Sequence, residues 1–196
     1  MKIIGITGPS GGGKTTALMA LGTLGAAVID CDEVYHRLLV TCQPMRQSLT
    51  ARFGDIFQQD GGLDRKKLGG VVFSDPSALM DLNAITHQYV LREIDGEIVK
   101  AQGENRPAVA IDAIALIESG MGAKCDVTVA VTAPAEVRVA RIMAREGITR
   151  AYARQRVAAQ KPDDFYRSSC DHLLCNDCAT REDFAAKALA LFEKLI

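Results

Sequence analysis

Apolar residues alternate along the chain between two kinds of pattern. Residues 2–7 form an apolar run bounded by glycine, which is how a strand covered on both faces of a parallel sheet reads. After the glycines that follow, Ala17, Leu18 and Leu21 recur at helical spacing over residues 15–24, and Gly25 stands where a helix would stop. Further short apolar runs lie at 26–30, 109–112, 127–132 and 173–175, with stretches of helical period between them. Strands separated by helices predict an α/β fold with a parallel five-stranded sheet.

Two segments depart from that rhythm. Between positions 32 and 107 the period becomes helical and the punctuation dense, with Pro44, Gly54, Asp60-Gly61-Gly62, Gly69-Gly70 and Asp75-Pro76, so an inserted helical region is expected. Residues 135–159 form a polar helical stretch carrying Arg138, Arg141, Arg145, Arg150, Arg154 and Arg156, broken at Glu146-Gly147. A solvated face explains most such charge runs. What favours a helix pair closing over a polyanion is the chemistry at the other end of the chain.

Gly8-Pro9-Ser10-Gly11-Gly12-Gly13-Lys14-Thr15 matches G-x-x-x-x-G-K-[ST] at every position and falls between a predicted strand and a predicted helix, as that motif requires. Glycines let backbone N–H groups converge on phosphate oxygens, and the helix N-terminus adds partial positive charge. Lys14 would bridge the β and γ phosphates of ATP, and the Thr15 hydroxyl would reach Mg²⁺. The fold expected is therefore a three-layer P-loop NTPase fold.

Open parallel sheets bind ligands at the carboxyl ends of their strands, so acids there are the first candidates for chemistry. Asp30, Asp32 and Asp112 qualify. Asp32 could accept a proton from an attacking hydroxyl, Asp30 could help hold metal or substrate, and Asp112 could support Mg²⁺ through water. For each of them a turn or helix-cap role is the competing explanation.

Charge and cysteine content narrow the class. A formal net charge of −1 gives no global field to draw nucleic acid or anionic lipid. No apolar run approaches the roughly 18 to 20 residues needed to span a bilayer. The first residues lack a signal core, so a cytoplasmic location with reduced thiols is expected for the six cysteines. Cys170, Cys175 and Cys178 have a C-x4-C-x2-C spacing found in iron-sulfur ligation, but a fourth ligand would have to come from Cys31, Cys42 or Cys125. Cys175 at the end of a short buried strand is the plainer explanation.

Beyond the loop, the residues resemble the dephospho-coenzyme A kinase family along nearly the whole chain. Ile29-Asp30-Cys31-Asp32 is similar to that family's D-A-D motif, with cysteine for alanine, and the resemblance implies that Asp32 is the base. Asp60 to Leu68, with Val72-Phe73, resembles its substrate region, which gives Arg65 a contact to the coenzyme portion. Leu82 to His87 is similar to L-N-x-I-x-H-P, although Gln88 stands for proline, and implies substrate binding by His87. Arg141 and Arg145 match R-x-x-x-R of the lid, and Arg156 with Gln160 matches R-I-x-x-Q. Cys170 to Asn176 resembles A-D-x-x-I-x-N, whose asparagine lies near adenine. The family's P-L-L-F-E is here Ile114-Ala115-Leu116-Ile117-Glu118, which leaves substrate contacts in that segment open.

The resemblance implies one domain, residues 1–196, with a core of about 1–31, 107–134 and 168–196, a helical substrate-binding region of about 32–106 and a lid of about 135–167. It implies catalysis by Asp32, Lys14 and Arg141. Gly11, Gly12, Gly13, Lys14, Thr15, Thr16, Arg145 and Asn176 would hold ATP, with Thr15 on Mg²⁺. Asp32, Arg65 and His87 would hold dephospho-coenzyme A, with neither nucleic acid nor membrane as a partner. Another P-loop nucleotide or small-molecule kinase would share the loop and lid and differ in the substrate region. A GTP-dependent switch lacks its N-K-x-D and D-x-x-G motifs here.

Overall fold

The computed structural model describes residues 1–58 and 60–196. Its centre is β1 (Lys2–Thr7), where Ile4 and Ile6 are wholly buried. β3 (Ala108–Asp112) and β4 (Val127–Thr132) flank it in parallel, with Ile6 opposite Asp112 and Val129. β2 (Ala27–Asp30) and β5 (His172–Cys175) lie at the edges, so the five-stranded parallel sheet has the order β2-β3-β1-β4-β5. The strands at 127–132 and 2–7 match the apolar runs residue for residue, because central strands buried on both faces are mostly apolar, with threonine as their main polar residue. At Gly5 a Cβ would come within 2.7 Å of Leu116 Cδ2 and 2.8 Å of Cys125 Sγ, so the segment between β3 and β4 needs glycine beneath it.

α1 (Lys14–Thr23) buries Ala17, Ala20 and Leu21, and α9 (Arg181–Phe192) buries Phe184, Ala188 and Phe192. These residues close over Ile4, Ile6, Val129, Val131 and Leu174 in one core cluster. Small residues on the α1 face admit the two phenylalanines of α9. Burying an aromatic side chain in such a cluster contributes several kcal/mol, by transfer and by close packing together.

The chain divides into two compact units, residues 1–29 with 101–196, and residues 30–100. Besides the sheet, the first unit holds α6 (Ala135–Glu146), α7 (Arg150–Ala158) and α8 (Asp163–Ser169). α6 and α7 have a small core of their own in Val139, Ile142 and Ala153. The break at Gly147 is a left-handed helix cap with φ of 66°, where a side chain would be strained.

The second unit begins with α2 (Cys31–Thr41), which starts at the residue after β2 ends. Asp30 accepts from the N–H groups of Asp32 and Glu33, at 2.9 and 3.0 Å, and so caps it. α3 (Gln43–Phe53), α4 (Arg65–Val72) and the 28-residue α5 (Pro76–Gly103) follow. Arg37 of α2 pairs with both Glu93 and Glu97, one turn apart on α5, and Arg52 of α3 with Asp81. Among the described residues no helix is long and apolar enough to cross a membrane.

Phe184→Ala should lower the unfolding free energy by about 3–5 kcal/mol, since it empties the seam between α1 and α9. Urea unfolding followed by far-ultraviolet circular dichroism measures it; a loss under about 1 kcal/mol would mean the seam can collapse to fill the space.

Candidate active site at the glycine loop

The loop between β1 and α1 is held from outside. Arg138 Nε donates to the Ser10 carbonyl at 3.1 Å, Arg141 Nη1 to the Gly11 carbonyl at 3.0 Å, and Asn176 Nδ2 to the Gly12 carbonyl at 3.1 Å. Gln160 Oε1 receives both the Ser10 N–H, at 2.9 Å, and Arg138 Nη2, at 2.6 Å. Three consecutive carbonyls are therefore held by side-chain donors. In the first turn of α1 the Thr16 and Ala17 N–H groups donate to the Gly13 carbonyl, and the N–H groups ahead of them, which have no intrahelical acceptor, are left to bind an anion.

Glycine is required at both ends of the loop. Gly8 has φ of 133° and Gly13 has φ of 112°; a Cβ would run into the Val131 carbonyl at Gly8 and into Asn176 Nδ2 at Gly13. L side chains are both strained and displaced there.

A cleft of about 580 Å³ opens above the loop, bounded by Gly13, Lys14, Thr15, Thr16, Arg141 and Arg145 among others. That volume lies within the range of ~300–1,000 Å³ usual for small-molecule sites. Ile114, Asn176 and Arg181 also border it. The substituted segment thus places Ile114 on the cleft and Leu116 in the core. Asn176 is almost fully buried, and its Oδ1 has no hydrogen-bond partner. It braces the loop through Gly12, a task the resemblance to an adenine-side asparagine did not suggest.

The arginine run of α6 and α7 is not one uniform face. Arg150 and Arg154 pair with Glu136, and Arg145 and Arg156 pair with Glu146. Only Arg138 and Arg141 of the six reach the loop. Burial pushes the Arg138 guanidinium down from its ordinary value, with the Asp163 carboxylate acting against that shift. Arginine nevertheless stays protonated. Arg138 was counted in the sequence only as one of a charged series; its place on the buried side of α6, beside Val139 and Ile142, was the available signal.

In the second unit Arg65 is the first residue of α4, exposed, with Nη2 3.4 Å from His36 Nε2. Asp32 lies in the first turn of α2, and His87 is exposed on α5. Asp30 is occupied as the cap of α2. Asp112 ends β3, beside Ile6, with its Oδ1 buried. Cys175 ends β5, and no group of three or more His, Cys, Asp or Glu side chains is gathered to bind a metal among the described residues. The Cys125 thiol is pushed up to about 11, chiefly by burial and then by the Asp126 and Asp171 carboxylates, so it is a poor nucleophile at neutral pH.

The family model described as dephospho-CoA kinase matches residues 2–182. The chain belongs to the dephospho-CoA kinase family. A dephospho-CoA kinase of Geobacter metallireducens is 35% identical over all of this chain and 98% of its own length. One from Symbiobacterium thermophilum is 38% identical over 90% of this chain and 74% of its own. A crystal structure from Thermus thermophilus matches at 33% identity with a TM-score of 0.82, covering 100% of this chain and 98% of that one. A Campylobacter jejuni dephospho-CoA kinase, at 20% identity, TM-score 0.62 and coverage of 99% and 97%, shares the fold. The glycine loop thus belongs to a phosphotransferase of the dephospho-CoA kinase family.

Asn176→Leu removes the donor to Gly12 while keeping the number and branching of side-chain heavy atoms. It should cost about 1–3 kcal/mol of stability and weaken ATP binding about tenfold, because a buried carbonyl is left without a partner and is free to turn. Denaturant unfolding and a fluorescent-nucleotide titration read the two effects.

Proposed function

We propose that this chain transfers the γ-phosphoryl group of ATP to the ribose 3′-hydroxyl of dephospho-coenzyme A, giving coenzyme A and ADP. The observation that carries this reading is the family match over residues 2–182, joined to a glycine loop whose Ser10, Gly11 and Gly12 carbonyls are held by side-chain donors. The loop N–H groups and Lys14 cradle the β and γ phosphates, and Arg141, already on the loop, adds charge where the transferred group becomes most anionic.

The site's donor set suits a hard cation. The Thr15 hydroxyl opens α1, and the Asp112 carboxylate ends the adjacent strand β3. Oxygen donors of this kind, with nucleotide phosphates and water completing the shell, are the ligands Mg²⁺ prefers. Mg²⁺ held by Thr15, with Asp112 behind it, would neutralise phosphate charge. Arg145 and Asn176 border the same cleft, where the nucleotide would lie.

Asp32 takes the proton of the attacking hydroxyl. Support comes from the division of labour in Asp30-Cys31-Asp32: the Asp30 carboxylate is committed to the α2 cap, while that of Asp32 projects from the first turn outside this cap. Arg65 and His87 hold the acceptor, and α6 with α7 forms a lid that excludes water when it closes. The reaction needs little covalent help from protein, so positioning and charge stabilisation supply most of the rate.

Asp32→Asn should lower kcat by about 10²- to 10⁴-fold and change the KM for ATP by no more than about threefold. The assay is ADP release with dephospho-coenzyme A, compared with adenosine, nucleoside monophosphates and water as acceptors. Equal turnover with any of these, or undiminished turnover in Asp32→Asn, overturns the acceptor or the base respectively.

A further inference from the structure

The arginines of the second unit are restrained in contrasting ways. Arg37 pairs with Glu93 and Glu97, and Arg52 with Asp81, so their charges are cancelled locally. Arg46 donates to the carbonyls of Leu39 and Gly61 and lies over the Phe57 ring at 4.0 Å. Arg65 is held by an imidazole. Its Nη2 lies 3.4 Å from His36 Nε2, and guanidinium has no acceptor, so the histidine nitrogen accepts and the ring is neutral with its proton on Nδ1. Among the described residues no carboxylate pairs with Arg65.

Both partners sit on well-anchored backbone. Arg65 opens α4, whose cap Asp64 accepts from the Lys67 N–H at 2.9 Å. The Asp64 N–H donates to the Ile56 carbonyl at 2.8 Å, Phe57 bridges to Leu63, and Lys67 Nζ donates to the Asp55 carbonyl. His36 belongs to α2 and follows Asp32 by four residues, which puts the two on one helix face at about 5–6 Å between Cβ atoms. Tyr35, beside it, has its hydroxyl pushed up by burial, and the positive charge of Arg65 works against that shift.

We infer that His36 is a positioning residue for the phosphate-bearing acceptor: its neutral imidazole fixes the Arg65 guanidinium above the helix face that carries Asp32 without cancelling its charge. A carboxylate in the place of His36 would orient Arg65 equally well but would have to be displaced by each arriving anion. An apolar residue would leave a long flexible side chain to be ordered on binding, which costs affinity. The imidazole avoids both. Phosphate on the acceptor meets a preoriented, uncompensated cation, and its ribose hydroxyl is thereby carried toward the carboxylate one turn away.

This inference rests on the acceptor assignment above, and steady-state kinetics with each substrate varied separately test it. His36→Leu should raise the KM for dephospho-coenzyme A about tenfold, with the KM for ATP and the thermal midpoint unchanged. His36→Gln, whose amide oxygen can accept near the Nε2 position, should stay within about threefold of wild type. Arg65→Ala should raise the same KM by more than His36→Leu, and adding His36→Leu to it should do no further harm, as expected of two residues acting as a unit. An unchanged KM in His36→Leu, or penalties that multiply in the double variant, overturns the positioning role alone. Wild-type protein idle with dephospho-coenzyme A overturns the acceptor assignment and this role together.

Discussion

Orientation of three backbone carbonyls is the constraint on which the rest depends. A glycine loop is free to present either its N–H groups or its C=O groups to the cleft, and only the first binds phosphate. Here the choice is made by donors far away in sequence: Arg138 and Arg141 on α6 take the Ser10 and Gly11 carbonyls, and Asn176 after β5 takes that of Gly12. Each is a hydrogen bond to a part-buried or buried group, and bonds from charged donors contribute about 1.5–3 kcal/mol where neutral ones contribute about 1. The arginines that look like phosphate ligands in the sequence are thus partly scaffolding for the amides that bind it.

That arrangement ties the sheet to the site. β1 delivers the loop, and β4 and β5 end alongside it, where the Asn176 N–H donates to the Thr132 carbonyl at 2.7 Å. α9 supplies Phe184 beneath Gly13 and closes the α1 seam. Mutating the core would therefore be felt at the loop, because close-packed interiors transmit displacement. α6 and α7 hold together through their own small core and through Glu136 and Glu146, and Arg138 and Arg141 of α6, with Gln160 after α7, tie the pair to the loop.

The second unit uses the same device in another form. Its arginines are mostly neutralised by carboxylates or spent on carbonyls, and Arg65 is oriented by a neutral ring. Arg141 in the first unit and Arg65 in the second, the cations proposed to meet an anion, are each held by a neutral group. Asp30 and Asp32 divide similarly: one acid caps the helix, and its neighbour is the one proposed for proton transfer.

Strand positions, the helix after the loop and the phosphate-binding motif were all legible in the sequence, because each depends on local pattern. A buried strand reads as an unbroken apolar run, and G-x-x-x-x-G-K-T carries its own backbone geometry. Asp32 was one of three acids marked out by a strand end, and the roles proposed for it, Arg65 and His87 rest on family resemblance, since nothing in their immediate neighbours distinguishes them from caps and surface charges. Tertiary structure alone decided which charges were spent: that Arg150 and Arg154 answer Glu136, that Arg138 turns inward to Ser10 and Gln160, that Asn176 braces Gly12, and that His36 meets Arg65. Pairing between residues 14 to 164 positions apart depends on how helices dock, and docking is set by summed burial over the whole core and not by any local pattern.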